Sequence, residues 1–221
     1  MIEGALVLEG GSLRSMFTSG VLDVMMEQGI ELSYVNGVSA DSMCGMNYLS
    51  KQVGRTLQVN TEYLHDKRYM SFRNMLKNRL IFNFDFLFGE LSTENSPQKF
   101  EVVATRCRTG QPVFFEKGVC TDMYAAVQAS CSMPVLSRMI TVEGRKYLDG
   151  GISLPIAYKR AMELGYETVV VVLTRQHGYR KKPVDRLTKR GYDRYFEPLP
   201  ELRAALEEVP ERYNRMQEEM D

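Results

Sequence analysis

The sequence predicts an α/β protein built on a parallel, helix-covered sheet. Short apolar runs alternate with stretches whose apolar residues recur at helical spacing, and the first two runs each end in a tight turn leading into a helix. The most continuous run, "ETVVVVLT" at 167–174, reads as a strand buried on both faces, as parallel sheets require.

In chain order, "ALVLE" at 5–9 is a strand that stops at Gly10 and Gly11. Behind it Met16, Phe17, Val21, Val24 and Met25 share helical spacing, and Gly29 closes that helix. "LSYVNGV" at 32–38 is the second strand, and "ADSMCGMNYLSKQ" is a helix that starts directly behind Ser39. "FEVVATRC" and "PVFFEKG" form a hairpin around "RTGQ". "TDMYAAVQASCSM" is a helix with Thr121 as its N-cap and Pro134 just past its end. "MITVEGRKYLDGG" makes two short strands around Glu143 and Gly144, and "PIAYKRAMELG" a helix with Pro155 in its first turn and Gly165 at its C-cap.

Two segments depart from this alternation. Residues 65–91 mix Lys67, Arg68, Arg73, Lys77 and Arg79 with Phe82, Phe84, Phe86 and Phe88. They read as a helix and an apolar segment packed on the sheet, with a lid or interfacial surface as the alternative; "STENSP" at 92–97 is then a polar loop. From about 175 a basic stretch, "RQHGYRKKPVDRLTKRGYDRY", is followed by an acidic helical one. A solvated surface is the default, and contact of the basic part with anionic lipid head groups the alternative. The expectation is a single domain over 1–221.

Lys plus Arg, 28, equals Asp plus Glu, 28, so nothing in the net charge calls for a nucleic-acid partner. The start, "MIEGALVLEGG", has neither a cationic nor a long apolar leader segment, and no apolar run reaches the ~18 residues of a spanning helix. A cytoplasmic protein is expected, with membrane contact at most peripheral. Cys44, Cys107, Cys120 and Cys131 show neither C-x-x-C pairs nor zinc-ligand spacing with the two histidines, His65 and His177, so they read as reduced thiols.

Three short stretches carry chemistry. In "YVNGVSADSM" Ser39 sits where a strand turns into a helix, which exposes its Oγ and aims free helix N–H groups at any negative charge formed there. The hydroxyl needs a base. Ser39, Asp149 and His177 match the α/β-hydrolase order, but Ser39 follows only the second strand and His177 lies in a basic loop. Asp149, at the end of a strand and before two glycines, is the better partner. In "LEGGSLRS", Gly10 and Gly11 lie between strand and helix, where backbone N–H groups can form an oxyanion hole; Arg14 is either an ion-pair former or an oxyanion helper. Nucleotide binding is disfavoured, because neither G-x-G-x-x-G nor a Walker-type Gly-Lys-Ser/Thr is present.

Taken together, "LVLEGGSLRSMFTSGVLD", "GVSADSMCGMNYLSKQ", "FEVVATRCRTGQPVFFE", "ASCSMP" and "YLDGGISLPI", in this order, resemble the bacterial patatin-like phospholipases from about residue 5 to about residue 182. The resemblance implies a three-layer α/β/α fold, a Ser-Asp dyad, lipid acyl esters as substrates, and neither metal nor cofactor. By position, Ser39 is the nucleophile, Asp149 the base, and Gly10, Gly11 and Ser12 the oxyanion loop ahead of Arg14. Ser12 and Ser15 replace two glycines of the family's G-G-G-x-R-G loop, and Asp41 replaces the second glycine of the elbow. Asp41 is expected either to cap the helix or to set a negative charge beside the oxyanion. A catalytically impaired lipid-binding relative is therefore the alternative. The chain is also short for the family around "GELSTENSP" and after Asp221, where a further strand is expected.

Overall fold

The computed structural model describes residues 1–62, 93 and 95–221; the basic and aromatic stretch at 65–91 lies outside the described residues. Among the described residues seven strands form one mixed sheet: β1 (Ile2–Leu8), β2 (Leu32–Val38), β3 (Lys99–Arg106), β4 (Pro112–Glu116), β5 (Ile140–Val142), β6 (Arg145–Asp149) and β7 (Val169–Val172). The order is β5-β6-β3-β2-β1-β7, with β4 also on β3; β7, β1, β2 and β3 are mutually parallel, β4 and β6 each pair antiparallel with β3, and β5 pairs antiparallel with β6.

Alternation along the strands sends side chains to two faces. On one, Leu6, Leu8, Val35 and Val102 pack against α1 (Ser15–Glu27), α2 (Ala40–Leu49), α3 (Arg55–Glu62) and α4 (Met123–Ser130) through Leu22, Met46, Val59 and Val127. On the other, Ala5, Val7, Tyr34 and Val103 meet α5 (Tyr158–Glu163) and the last helix, α8 (Val209–Met220), through Ala161, Tyr213 and Met216. Between them in sequence, α6 (Arg186–Tyr195) and α7 (Pro200–Glu207) cover the end of β6, where Leu202 and Leu206 pack on Leu148. The chain is thus a helix–sheet–helix sandwich, as expected.

Local chemistry explains most boundaries and corrects some. Gly29 takes φ +64 behind α1, and the Glu143-Gly144 turn has φ 48 and 74, the pair of left-handed residues that a tight two-residue hairpin needs. The N-cap of α4 is Asp122, which accepts from the Ala125 amide at 2.9 Å, rather than Thr121. Pro155 precedes α5, which starts only at Tyr158. Among the described residues the run at 169–172 is an edge strand that pairs with β1 alone, and Val170 is 39% exposed, so apolarity overstated its burial. At the acidic end of the chain Glu201, Glu208, Glu211, Glu218 and Glu219 are exposed, as the default expects, while Leu202, Leu206, Tyr213 and Met216 form a buried opposite face.

One register relation sets up the site. β2 runs parallel to β3 and ends with Val38 opposite Val103. β6 runs the other way and ends with Asp149 opposite Ala104, the next residue along β3. β4 spans both stretches of β3 on its other side, so β2 and β6 share one side and meet end to end. Ser39 and Asp149 are the residues at that junction.

Candidate active site

Ser39 leaves β2 with φ 55 and ψ −135, a conformation that non-glycine residues rarely adopt and that costs on the order of 1–3 kcal/mol. Three contacts hold it there. Its amide donates to Ser130 Oγ at 2.7 Å, its carbonyl accepts from the Ser42 amide at 2.9 Å, and the Ser42 hydroxyl donates to that same carbonyl. The preceding glycine is required by space: a Cβ on Gly37 would lie 2.6 Å from Ser42 Cα.

Ser39 Oγ donates to Asp149 Oδ2 at 2.7 Å. The other oxygen, Oδ1, accepts from the Gly151 amide at 2.8 Å, and Thr105 Oγ1 donates to the Asp149 carbonyl at 2.7 Å. Burial raises the Asp149 carboxyl from its ordinary range to about 6, against the hydrogen bonds from Ser39 and Gly151 and the charge of Lys181, which pull it down. It is therefore a carboxylate at neutral pH and a stronger base than a free aspartate. His177 is exposed and lies 3.3 Å from Asp221; it does not line the cleft around the dyad.

The sequence reading of the residues did not single out Ser130. Its hydroxyl donates to the Val103 carbonyl of β3 while accepting from the Ser39 amide, and the carbonyl of Ser132, two residues on, accepts from the Asp149 amide at 2.9 Å. "ASCSMP" at 129–134 thus braces both halves of the dyad. The partners lie 91 residues apart, so only the motif's presence in the family pattern could have signalled them.

The glycine loop packs against the elbow. A Cβ on Gly10 would come 3.0 Å from Ser39 Cβ, and one on Gly11 2.7 Å from Thr174 Cγ2. The Gly10 amide is directed at the Pro155 carbonyl, at 3.4 Å, whereas those of Gly11 and Ser12 have no partner among the described residues. Ser12 takes φ 52, a strained position where the family has glycine; Ser15, at φ −57, is unstrained. Arg14 lines the cleft, its Nε buried without a hydrogen-bond partner among the described residues.

Asp41 does neither of the two things expected of it. Its side chain makes no cap for α2 and does not line the cleft. It is fully buried against α1, accepting from Thr18 Oγ1 at 2.8 Å, and burial raises its carboxyl to about 7 despite Ser15 and Thr18 beside it. The sign follows: between the unfolded aspartate range and about 7 the folded protein holds a proton that the unfolded chain releases, so this group's contribution falls as pH rises through that window. Asp41→Asn, which cannot ionise, gains on the parent by about 2 kcal/mol between pH 5 and pH 8. Urea unfolding at both pH values checks this, and a pH-independent difference counts against it.

The cleft encloses about 290 Å³. Gly10, Gly11, Ser39 and Asp149 line its floor, and Val184, Tyr192, Leu206, Val209 and Pro210, all from the C-terminal segment, form a wall with Met133 and Pro134. Among the described residues no helix is long and apolar enough to cross a membrane.

Comparison with known proteins places the chain among relatives. The YjjU protein of Escherichia coli K12 is 28% identical over 215 residues, 90% of this chain and 60% of its own length. NTE family proteins of Mycobacterium tuberculosis and Mycobacterium bovis are 24% identical over 166 residues, 69% of this chain and 43% of theirs. The chain therefore spans roughly half the length of these relatives. The crystal structure of VipD from Legionella pneumophila superposes with a TM-score of 0.47 at 15% identity, over 86% of this chain and 52% of that one. The model of the patatin-like phospholipases matches residues 6–159, the span from the glycine loop through the serine elbow and the aspartate turn, and the chain belongs to that family.

Proposed function

We propose that this protein is a serine acyl hydrolase that cleaves carboxylic esters of lipids through a covalent acyl-enzyme. The observation that carries the reading is the 2.7 Å hydrogen bond from Ser39 Oγ to Asp149 Oδ2, made by a serine at φ 55 on a strand-to-helix turn. Asp149 accepts the Ser39 proton as Oγ attacks the ester carbonyl, and the protonated carboxyl then returns it to the departing alcohol. Water, deprotonated by Asp149, releases the acid. The free amides of Gly11 and Ser12 and the N-terminus of α2 are the donors available to the oxyanion, with Gly10 allowing the loop its close approach. A lipid ester suits the largely apolar wall of the cleft.

The impaired-relative reading drew on Asp41, which faces Thr18 and not the cleft; the strained Ser12 is what still favours it. A fluorophosphonate probe separates the two. The parent is expected to be labelled on Ser39, located by peptide mass spectrometry, and Ser39→Ala to be unlabelled. Absence of labelling in folded parent protein would sink the hydrolase reading.

A further inference from the structure

The aspartate turn leaves a backbone carbonyl that the local chain does not satisfy. Behind Asp149 the chain makes a 3-10 turn over Gly150–Ile152, in which the Gly150 carbonyl accepts from the amides of Ser153 at 3.2 Å and Leu154 at 2.9 Å. A carbonyl at the end of such a turn finds its usual partner three or four residues further on. Three on stands Pro155, which has no N–H and also disfavours the helical backbone that would bring the Ile156 amide round. Among the described residues no backbone amide donates to the Ile152 carbonyl. Ile152 is buried, where an unpaired carbonyl is costly.

The missing donor comes from the last helix. Arg212, in α8, donates from Nη1 to the Ile152 carbonyl at 2.7 Å, across 60 residues of sequence. The same nitrogen is directed at the Ala205 carbonyl near the end of α7, at 3.3 Å, and Nη2 donates to Glu208, between the two helices, at 2.7 Å. One planar fork thus ties the end of α7, the start of α8 and the aspartate turn together. Around it Ile152 packs with Leu202, Ala205 and Leu206. The sheet holds the other side of the turn: Thr105 Oγ1 donates to the Asp149 carbonyl and accepts from the Ser153 amide at 3.2 Å. Between these two anchors lies the Gly151 amide that fixes Asp149 Oδ1. Arg212 does not itself line the cleft, so any effect it has on the carboxylate passes through the turn.

We propose that Arg212 is a positioning residue for Asp149: it supplies the hydrogen bond that Pro155 denies the aspartate turn, and so fixes the angle at which the carboxylate meets Ser39. The inference rests on the acyl-hydrolase reading above, in which Asp149 is the base. A charge-assisted bond to a carbonyl is stronger and better aimed than a neutral one, which suits a contact that must hold a turn still. Ser39 and Asp149 lie within residues 6–159, the span the family model matches, and Arg212 lies beyond it. The C-terminal helices are then part of the catalytic unit as well as a wall of the cleft.

The test compares the parent with Arg212→Met and Arg212→Lys in the full chain, with kcat referred to the folded fraction measured by circular dichroism. On a soluble acyl ester Arg212→Met is expected to lower kcat about tenfold or more, the scale on which a displaced catalytic group loses rate, and to leave KM within about twofold. Arg212→Lys, which keeps a donor for the Ile152 carbonyl, recovers most of the loss. An unchanged kcat in folded Arg212→Met, or an Arg212→Lys no better than Arg212→Met, overturns the proposal. Hydrogen exchange followed by mass spectrometry reads the turn directly: in Arg212→Met the amides of 150–154 exchange about tenfold faster or more, while those of α4 keep the parent rate. No rise at the turn, or a rise shared equally by α4 as a merely structural arginine would give, overturns the proposal. If Arg212→Met does not fold, Arg212→Gln, neutral and shorter, takes its place in both measurements with the same expected outcomes. If the parent neither hydrolyses the ester nor takes a fluorophosphonate label, the hydrolase reading fails on its own, and the exchange pattern still decides whether Arg212 holds the turn.

Discussion

Asp149→Asn lowers kcat/KM for a soluble acyl ester by about a thousandfold, the scale expected when a general base is removed and the geometry kept. Asparagine can still accept the Ser39 hydroxyl but cannot take its proton. In the parent, kcat/KM climbs about tenfold per pH unit up to about pH 6, where burial sets the carboxyl, and then levels. Stability runs the other way. Because the folded aspartate is raised above its ordinary range, the folded state holds a proton that the unfolded chain has already released, so this group's contribution to stability falls over the same window in which activity appears. A rate–pH profile and urea unfolding, measured between pH 4.5 and 8, check both trends. A pH-independent kcat/KM from pH 5 to 7 would remove Asp149 from the role of base.

Gly150→Ala destabilises the protein by about 3 kcal/mol and disables the site with it. An added Cβ would stand 2.2 Å from the Val103 carbonyl oxygen, backbone of the central strand that cannot yield as a flexible side chain would. That carbonyl also accepts the Ser130 hydroxyl, so relief of the clash displaces the group that fixes the Ser39 amide. Urea unfolding measures the first effect and fluorophosphonate labelling of the folded fraction the second. Gly20→Ala is the control: a Cβ there meets nothing within 4 Å on α1, and the exchange is neutral or stabilising. Equal stabilities for the two variants would refute the argument from space.

Much of this arrangement was legible in the sequence because the signals were local. Glycine pairs after apolar runs mark the loop at Gly10 and the turn behind Asp149, and a serine between an apolar strand and a helical stretch marks the elbow at Ser39. What escaped depended on tertiary neighbours. A buried serine in a helix carries no mark that its hydroxyl holds the amide of a distant turn, so outside the family pattern Ser130 reads only as helix. The four valines of β7 look fully buried by apolarity, yet strand order puts them at an edge. Asp41 was legible as an anomaly but not in its direction, because the side chain that receives it, Thr18, belongs to a different helix. The acidic end of the chain masked its apolar stripe, of which Leu206 lines the cleft.

The end-to-end meeting of β2 and β6 on β3 makes the separation of Ser39 and Asp149 a matter of counting residues. Val38 and Asp149 lie opposite consecutive residues of β3, Val103 and Ala104. A one-residue deletion within β6 would shift its partner by about 3.3 Å and turn its side chain to the opposite face. Length changes in the Glu143-Gly144 turn, beyond the far end of that strand, leave that pairing untouched. The chemistry of the site is in this sense indexed by strand register, and a catalytic assay on this protein doubles as a sensitive gauge of whether its sheet has paired correctly.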